Sequence, residues 1–183
     1  MSPIQNLVQQ AQQHYQQGRL QHTADVCAEI FRFDQSCAEG WYLMAQVLRD
    51  DGKTAMALEH AKQAVKCDPK KSEHALLVIS LLMVMQRYFD AEQVARALLA
   101  QEPQCAEAIK QIGLAIQHIG RSVEAHPYLE QATELFPESV EVWSHFADCS
   151  RQLGFTIEAL DAYARLSSMN AADTKSLLAR GDL

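Results

Sequence analysis

The chain has 183 residues, a formal charge of −7, 48% apolar and 21% charged residues. That is enough apolar mass for a continuous core and too much for a disordered tail, and the acidic balance argues against a nucleic-acid surface. No apolar run approaches the ~18 residues of a membrane span; the longest, residues 75–85, is broken by Ser80.

At the N-terminus, residues 1–6 offer neither a basic segment nor an apolar one behind it, so no secretory signal is expected. Gln5, Gln9, Gln10, Gln12, Gln13, Gln16, Gln17 and Gln21 follow. Glutamine is a good helix former, so this run predicts a polar helical face rather than an aggregating tract. Cys27, Cys37, Cys67, Cys105 and Cys149 are odd in number and form no CxxC pair, which points to free thiols and a cytoplasmic protein.

Pro69, Pro103 and Pro137 lie 34 residues apart. Gly18, Gly52, Gly120 and Gly154 keep the same spacing, with Gln86 in the remaining place. Ala57, Ala91, Ala125 and Ala159 do so too, with Thr23 in the first. Five units therefore cover residues 4–37, 38–71, 72–105, 106–139 and 140–173. In the second, Trp41, Met44, Ala45 and Leu48 recur at i, i+3, i+4 and i+7, the stripe of an amphipathic helix. Asp51-Gly52 ends it, because glycine accepts the left-handed cap. Ala57, Ala61, Ala64 and Val65 form a second stripe, stopped at Asp68-Pro69. Ala45 and Ala57 are expected where the paired helices cross, since a larger side chain would push the axes apart.

Unit three departs from amphipathicity: Leu76-Leu77-Val78-Ile79-Ser80-Leu81-Leu82-Met83-Val84-Met85 is apolar all round. Pro127 falls inside the second helix of unit four and is expected to remove one backbone bond and bend it. Unit five has Ala171 where the others carry proline. In residues 174–183, Leu177 and Gly181 fall on the tryptophan and small-residue places of a further unit. The segment is either a short capping helix or the start of a cut sixth unit, and the second fits better.

This pattern resembles the tetratricopeptide repeat, a 34-residue helix–turn–helix unit. Unit two matches with Trp41, Met44, Ala45, Leu48, Gly52, Ala57, Ala61, Ala64 and Pro69. Unit four matches with Ile109, Ile112, Gly113, Ile116, Gly120, Ala125, Ala132 and Pro137. Unit five matches with Trp143, Phe146, Ala147, Gly154, Ala159, Tyr163 and Leu166. Unit one is degenerate, with Gln10, His14 and Gln35 at places normally apolar or proline. The resemblance implies an all-α fold, a right-handed α-α superhelix of antiparallel helix pairs.

The resemblance also implies that the first helices line a concave binding face. The outward places of that face carry Tyr15 in unit one, and Tyr42, Leu43, Gln46 and Arg49 in unit two. Unit three brings Leu76, Leu77, Ser80, Met83 and Val84, and unit four Lys110, Leu114, Gln117 and His118. Glu39, Glu73, Glu107 and Glu141 hold the second place of units two to five. Leu76, Leu77, Met83 and Val84, with Tyr42 and Leu43, are expected to form an apolar floor, because exposed apolar patches mark interfaces. The partner implied is a protein or peptide, either an amphipathic helix or an extended segment, or else a downstream segment of the same polypeptide. Relatives that clamp a C-terminal carboxylate use lysine and asparagine where this chain has Val8, Gln12, Leu43, Glu73 and Leu77, so that role is not expected. Similar glutamine-rich beginnings in bacteria lead into sulfotransferase or glycosyltransferase domains, which makes a substrate-recognition module of a larger enzyme the alternative. Self-association through the unit-three face is a third reading.

Chemistry finds little footing. There is no GxSxG, GxxxxGK[ST] or GxGxxG, so no catalysis is expected from this chain. His145 and Cys149 share a helix face near His118 and would suit zinc. Two ligands on one helix make no site, however, and no metal or cofactor is expected. His14, His22, His60, His74 and His126 are expected on solvated faces.

Overall fold

The computed structural model describes residues 3–180, with side chains through residue 169. Among the described residues there are ten helices and no strand. They are α1 Pro3–Gln16, α2 Leu20–Phe33, α3 Ala38–Asp50, α4 Thr54–Cys67, α5 Ser72–Val84, α6 Tyr88–Gln101, α7 Ala106–His118, α8 Ser122–Leu135, α9 Val140–Leu153 and α10 Thr156–Arg180. None is long and apolar enough to cross a membrane.

The chain forms two compact bodies, Met1–Val94 and Ala95–Leu183, divided within α6. In the N-terminal body α1 packs on α2, α2 on α3, α3 on α4 and α4 on α5, while α1 also meets α3. In the C-terminal body α7 packs on α8, α8 on α9 and α9 on α10, and α7 meets α9. Each body therefore brings successive first helices side by side, which is what creates a face for binding.

One turn design recurs five times. Gly18, Gly52, Gly120 and Gly154 have φ between 70° and 86°. Their N–H groups donate to Tyr15, Arg49, Gln117 and Arg151 carbonyls, and the next residue donates to the carbonyl five residues before itself, as Arg19 does to His14 and Lys53 to Leu48. These bonds satisfy the open carbonyls of the helix end. Gln86 occupies the fifth turn with φ 57°, and Arg87 still reaches the Leu82 carbonyl at 2.9 Å. A side chain in this conformation carries a steric cost that glycine avoids.

Small residues set the helix crossings. Ala45, Ala57, Ala61, Ala125 and Ala147 are fully buried. A Cβ on Gly113 would lie 3.0 Å from the Leu129 side chain and 3.2 Å from its backbone nitrogen. Trp41 and Trp143 each donate an indole N–H to the carbonyl six residues earlier, Gln35 and Pro137. They thereby tie each first helix to the turn before it.

Helix α8 is continuous over Ser122–Leu135, with exposed Pro127 inside it. The missing N–H leaves the Val123 carbonyl without its helical donor on the solvent side. Without proline at 171, α10 runs unbroken to Arg180. The capping-helix and sixth-unit readings of 174–183 concern side chains that lie outside the described residues. None of the five cysteines forms a disulfide.

The all-apolar helix α5 owes its composition mainly to burial. Leu77, Val78, Ile79, Leu81 and Leu82 are buried, Leu76 and Met83 half-buried, and Val84 exposed. The histidine expectation needs two corrections. His74 is fully buried against the Tyr42 ring, 5.0 Å between centroids. It holds the third place of its unit, where Gly40, Ala108 and Val142 are also buried. His126 is wedged between Phe146 and Phe155, with Nε2 2.8 Å from Glu158 Oε2.

Candidate functional site

In the N-terminal body a cavity of about 400 Å³ opens on the first-helix face between α1 and α3. Tyr15 and Gln12 supply one wall from α1, and Tyr42, Leu43 and Gln46 the other from α3. Glu39, Lys71 and Glu73 close one end. A second cavity, about 550 Å³, lies along α1 and shares Gln12 and Glu39 with the first. Ile4 and Val8 give it an apolar side, and Gln5 and Gln9 a polar one.

The walls are held by specific bonds. Tyr15 donates its hydroxyl to Asp50 Oδ2 at 2.6 Å and accepts from Arg49 at 3.0 Å. Arg49 Nε reaches Asp50 Oδ1 at 2.9 Å. Partial burial, then the Asp50 bond, push the Tyr15 pKa up to about 12, so the ring stays a neutral phenol. Burial works to raise the Asp50 pKa, but the Tyr15 and Arg49 bonds hold it below the usual carboxylate range. Lys71 Nζ stands 3.0 Å from Glu39 and 3.7 Å from Glu73. Glu39 accordingly titrates low: burial opposes this, and the Lys71 ammonium outweighs it.

Leu43, Leu77 and Leu114, read as groove residues, are 4%, 5% and 2% exposed. Leu43 belongs to a core cluster with Ala11, Cys27 and Ile30, against which Val8 and Tyr15 pack. Gln46, Leu76, Ser80 and Met83 are half-buried, and Val84 is 72% exposed. Lys71 was not singled out from sequence. Its signal was available: it directly precedes unit three, beside the second place of two successive units.

In the C-terminal body side chains of the same face bond to one another. Gln117 Nε2 donates to the His145 carbonyl at 3.0 Å, and its Oε1 meets His145 Nδ1. The His118 ring stands edge-on to His145 at 5.1 Å. Burial, then the neighbouring His118, lower the His145 pKa. Lys110 pairs with Glu107 at 2.8 Å and lies 4.9 Å from the Phe136 ring centre. Tyr163 donates to Asp148 at 2.8 Å.

Cys149 is buried and donates to the Ser122 carbonyl. Among the described residues no three His, Cys, Asp or Glu side chains are arranged to hold a metal. Ser150, His126 and Glu158 meet, but Ser150 Oγ and Glu158 both approach the same ring nitrogen, Nε2, at 3.2 and 2.8 Å. A catalytic triad needs them on opposite nitrogens.

A tetratricopeptide repeat profile matches residues 4–170. Among solved structures, a double mutant of MamA from strain RS-1 superimposes with a TM-score of 0.83 at 18% identity, over 94% of this chain and 98% of that one. A MamA from Desulfovibrio magneticus RS-1, residue 41 to its end, gives 0.82 at 18%, with coverages of 94% and 98%. The Pseudomonas aeruginosa pilF protein gives 0.76 at 17%, over 91% of this chain and 76% of that one. No curated protein matches the chain. At these identities the likeness is one of fold.

Proposed function

We propose that this chain, which belongs to the tetratricopeptide repeat family, is a non-catalytic scaffold that binds a protein or peptide on its first-helix face. The observation that carries this reading is the pair of adjoining cavities, about 400 and 550 Å³, on the outward side of α1 and α3. Helix-pair repeats present such faces because their second helices supply the packing behind them. Half-buried Leu76 and Met83 with exposed Val84 extend the apolar component on α5. The guest is an extended or helical segment that fills the cavities with side chains. The cytoplasm is the compartment proposed, which suits five unpaired thiols.

The test is selection of peptides from a random displayed library on the intact chain. The best binders are then measured against a Tyr42→Ala, Val84→Glu double variant. Affinity is expected to fall about ten-fold or more, equivalent to ~1.4 kcal/mol, with helical circular dichroism unchanged. Equal binding to both proteins would overturn the assignment of this face.

A further inference from the structure

The larger question is what kind of guest the cavity between α1 and α3 accepts. Its chemistry is aromatic and acidic. Tyr15 and Tyr42 line it, and Glu39 and Glu73 bring carboxylates to one end. Carboxylates attract cations, and an aromatic ring adds to the attraction where a cation lies over its face. We infer that this cavity receives a lysine or arginine side chain of an extended guest peptide. The inference rests on the peptide-binding reading of the same face and names its guest.

Three observations support a cation. First, the protein already places one there: the Lys71 ammonium bridges Glu39 and Glu73. The two carboxylates therefore converge on a point that an ammonium can occupy. Glu73 keeps 62% of its side chain exposed, so it remains open to a guest. Second, the charges do not balance. Two carboxylates and one ammonium leave the lining at −1, within a chain of net charge −7. Third, the neighbouring cation is committed. Arg49 is held by Asp50 at 2.9 Å and by the Tyr15 hydroxyl at 3.0 Å, which leaves it poorly placed for an anionic guest.

The adjoining cavity accounts for the rest of such a guest. Gln9 and Gln12 offer amide donors and acceptors suited to an extended backbone, and Ile4 and Val8 offer an apolar wall. An arginine or lysine stem also has three or four methylenes to lay along Tyr42 and Leu43. A guest cation would compete with Lys71 for the same oxygens. That competition gives the proposal a sign that a merely structural Lys71–Glu39 pair lacks, since a pair that only ties the two side chains together would not oppose a guest.

The experiment uses the full chain and three labelled nonapeptides, alternating Arg-Ala, Glu-Ala and Ser-Ala, read by fluorescence anisotropy. The Arg-Ala peptide is expected to bind about ten-fold tighter than either other peptide, with affinity falling as salt rises. Glu39→Gln with Glu73→Gln is expected to weaken it about five-fold, and Lys71→Ala to strengthen it about three-fold. Glu130→Gln with Glu134→Gln removes two exposed charges from α8 instead, and should leave binding unchanged. Preference for the Glu-Ala peptide, weaker binding by Lys71→Ala, or equal loss in the α8 control would each overturn the inference. If library-selected peptides bind this face without regard to charge, this inference fails and the scaffold reading stands. If no peptide of any composition binds the face, both fail.

Discussion

The two bodies carry the same helix plan and furnish their first-helix faces with different side chains. In the N-terminal body Tyr15, Tyr42 and the Glu39–Lys71–Glu73 group stand around open volume. In the C-terminal body Gln117 is spent on His145, Lys110 on Glu107 and Tyr163 on Asp148. A place on the repeat thus fixes where a backbone position lies, while the neighbouring side chains decide whether it faces a guest or its own chain. Cavities of about 400 and 550 Å³ lie on the N-terminal face.

The sharpest probe lies within a single helix. Leu77 and Val84 are both outward places of α5, yet one is 5% and the other 72% exposed. Leu77→Glu places an unpaired charge in the core and is expected to cost on the order of 4 kcal/mol or more, enough to unfold the N-terminal body. Val84→Glu should shift stability by no more than ~0.5 kcal/mol. Urea titration followed by circular dichroism separates them, and equal costs would mean that α5 is not seated as described.

Next in size is Gly113→Val. The close approach of Leu129 leaves no room for a branched side chain, so overpacking should cost ~1–3 kcal/mol. A neutral result by the same titration would deny that α7 and α8 cross at contact distance. Gln86→Gly acts in the opposite direction. Relieving the left-handed strain outweighs the added chain entropy, for a gain of ~0.5–1 kcal/mol in unfolding free energy.

The smallest effect is a difference in pH slope. His145 titrates below its ordinary value in the folded chain because burial and His118 disfavour its charge. The unfolded chain therefore takes up the proton first as pH falls below ~6.5, and stability is lost downward from there. His145→Gln should lose less stability than the parent between about pH 7.5 and 5.5. Identical slopes would mean that burial beside His118 does not lower the His145 pKa.

The fold was legible in the sequence because its signals are local and periodic. Glycine marks the left-handed turns, proline follows the second helices, and alanine sits at the crossings. The cavity lining was legible only in part. Tyr15, Tyr42, Leu43 and Gln46 hold outward places and do line a cavity. Leu77 and Leu114 hold outward places too and are buried, because packing between helices is a tertiary property that the spacing does not encode. Lys71 escaped notice because it stands in a turn rather than on a helix stripe. Buried His74 could have been read from the small and apolar residues at the same place in other units.

The central claim is that the face formed by α1 and α3 in the N-terminal body is where a guest binds. Titrating the nitrogen-15-labelled chain with a library-selected peptide and mapping amide shift changes tests it most directly. Shifts concentrated at Gln12, Tyr15, Tyr42 and Gln46 are the predicted result. Shifts concentrated on α2 and α4, with α1 and α3 unmoved, would contradict it.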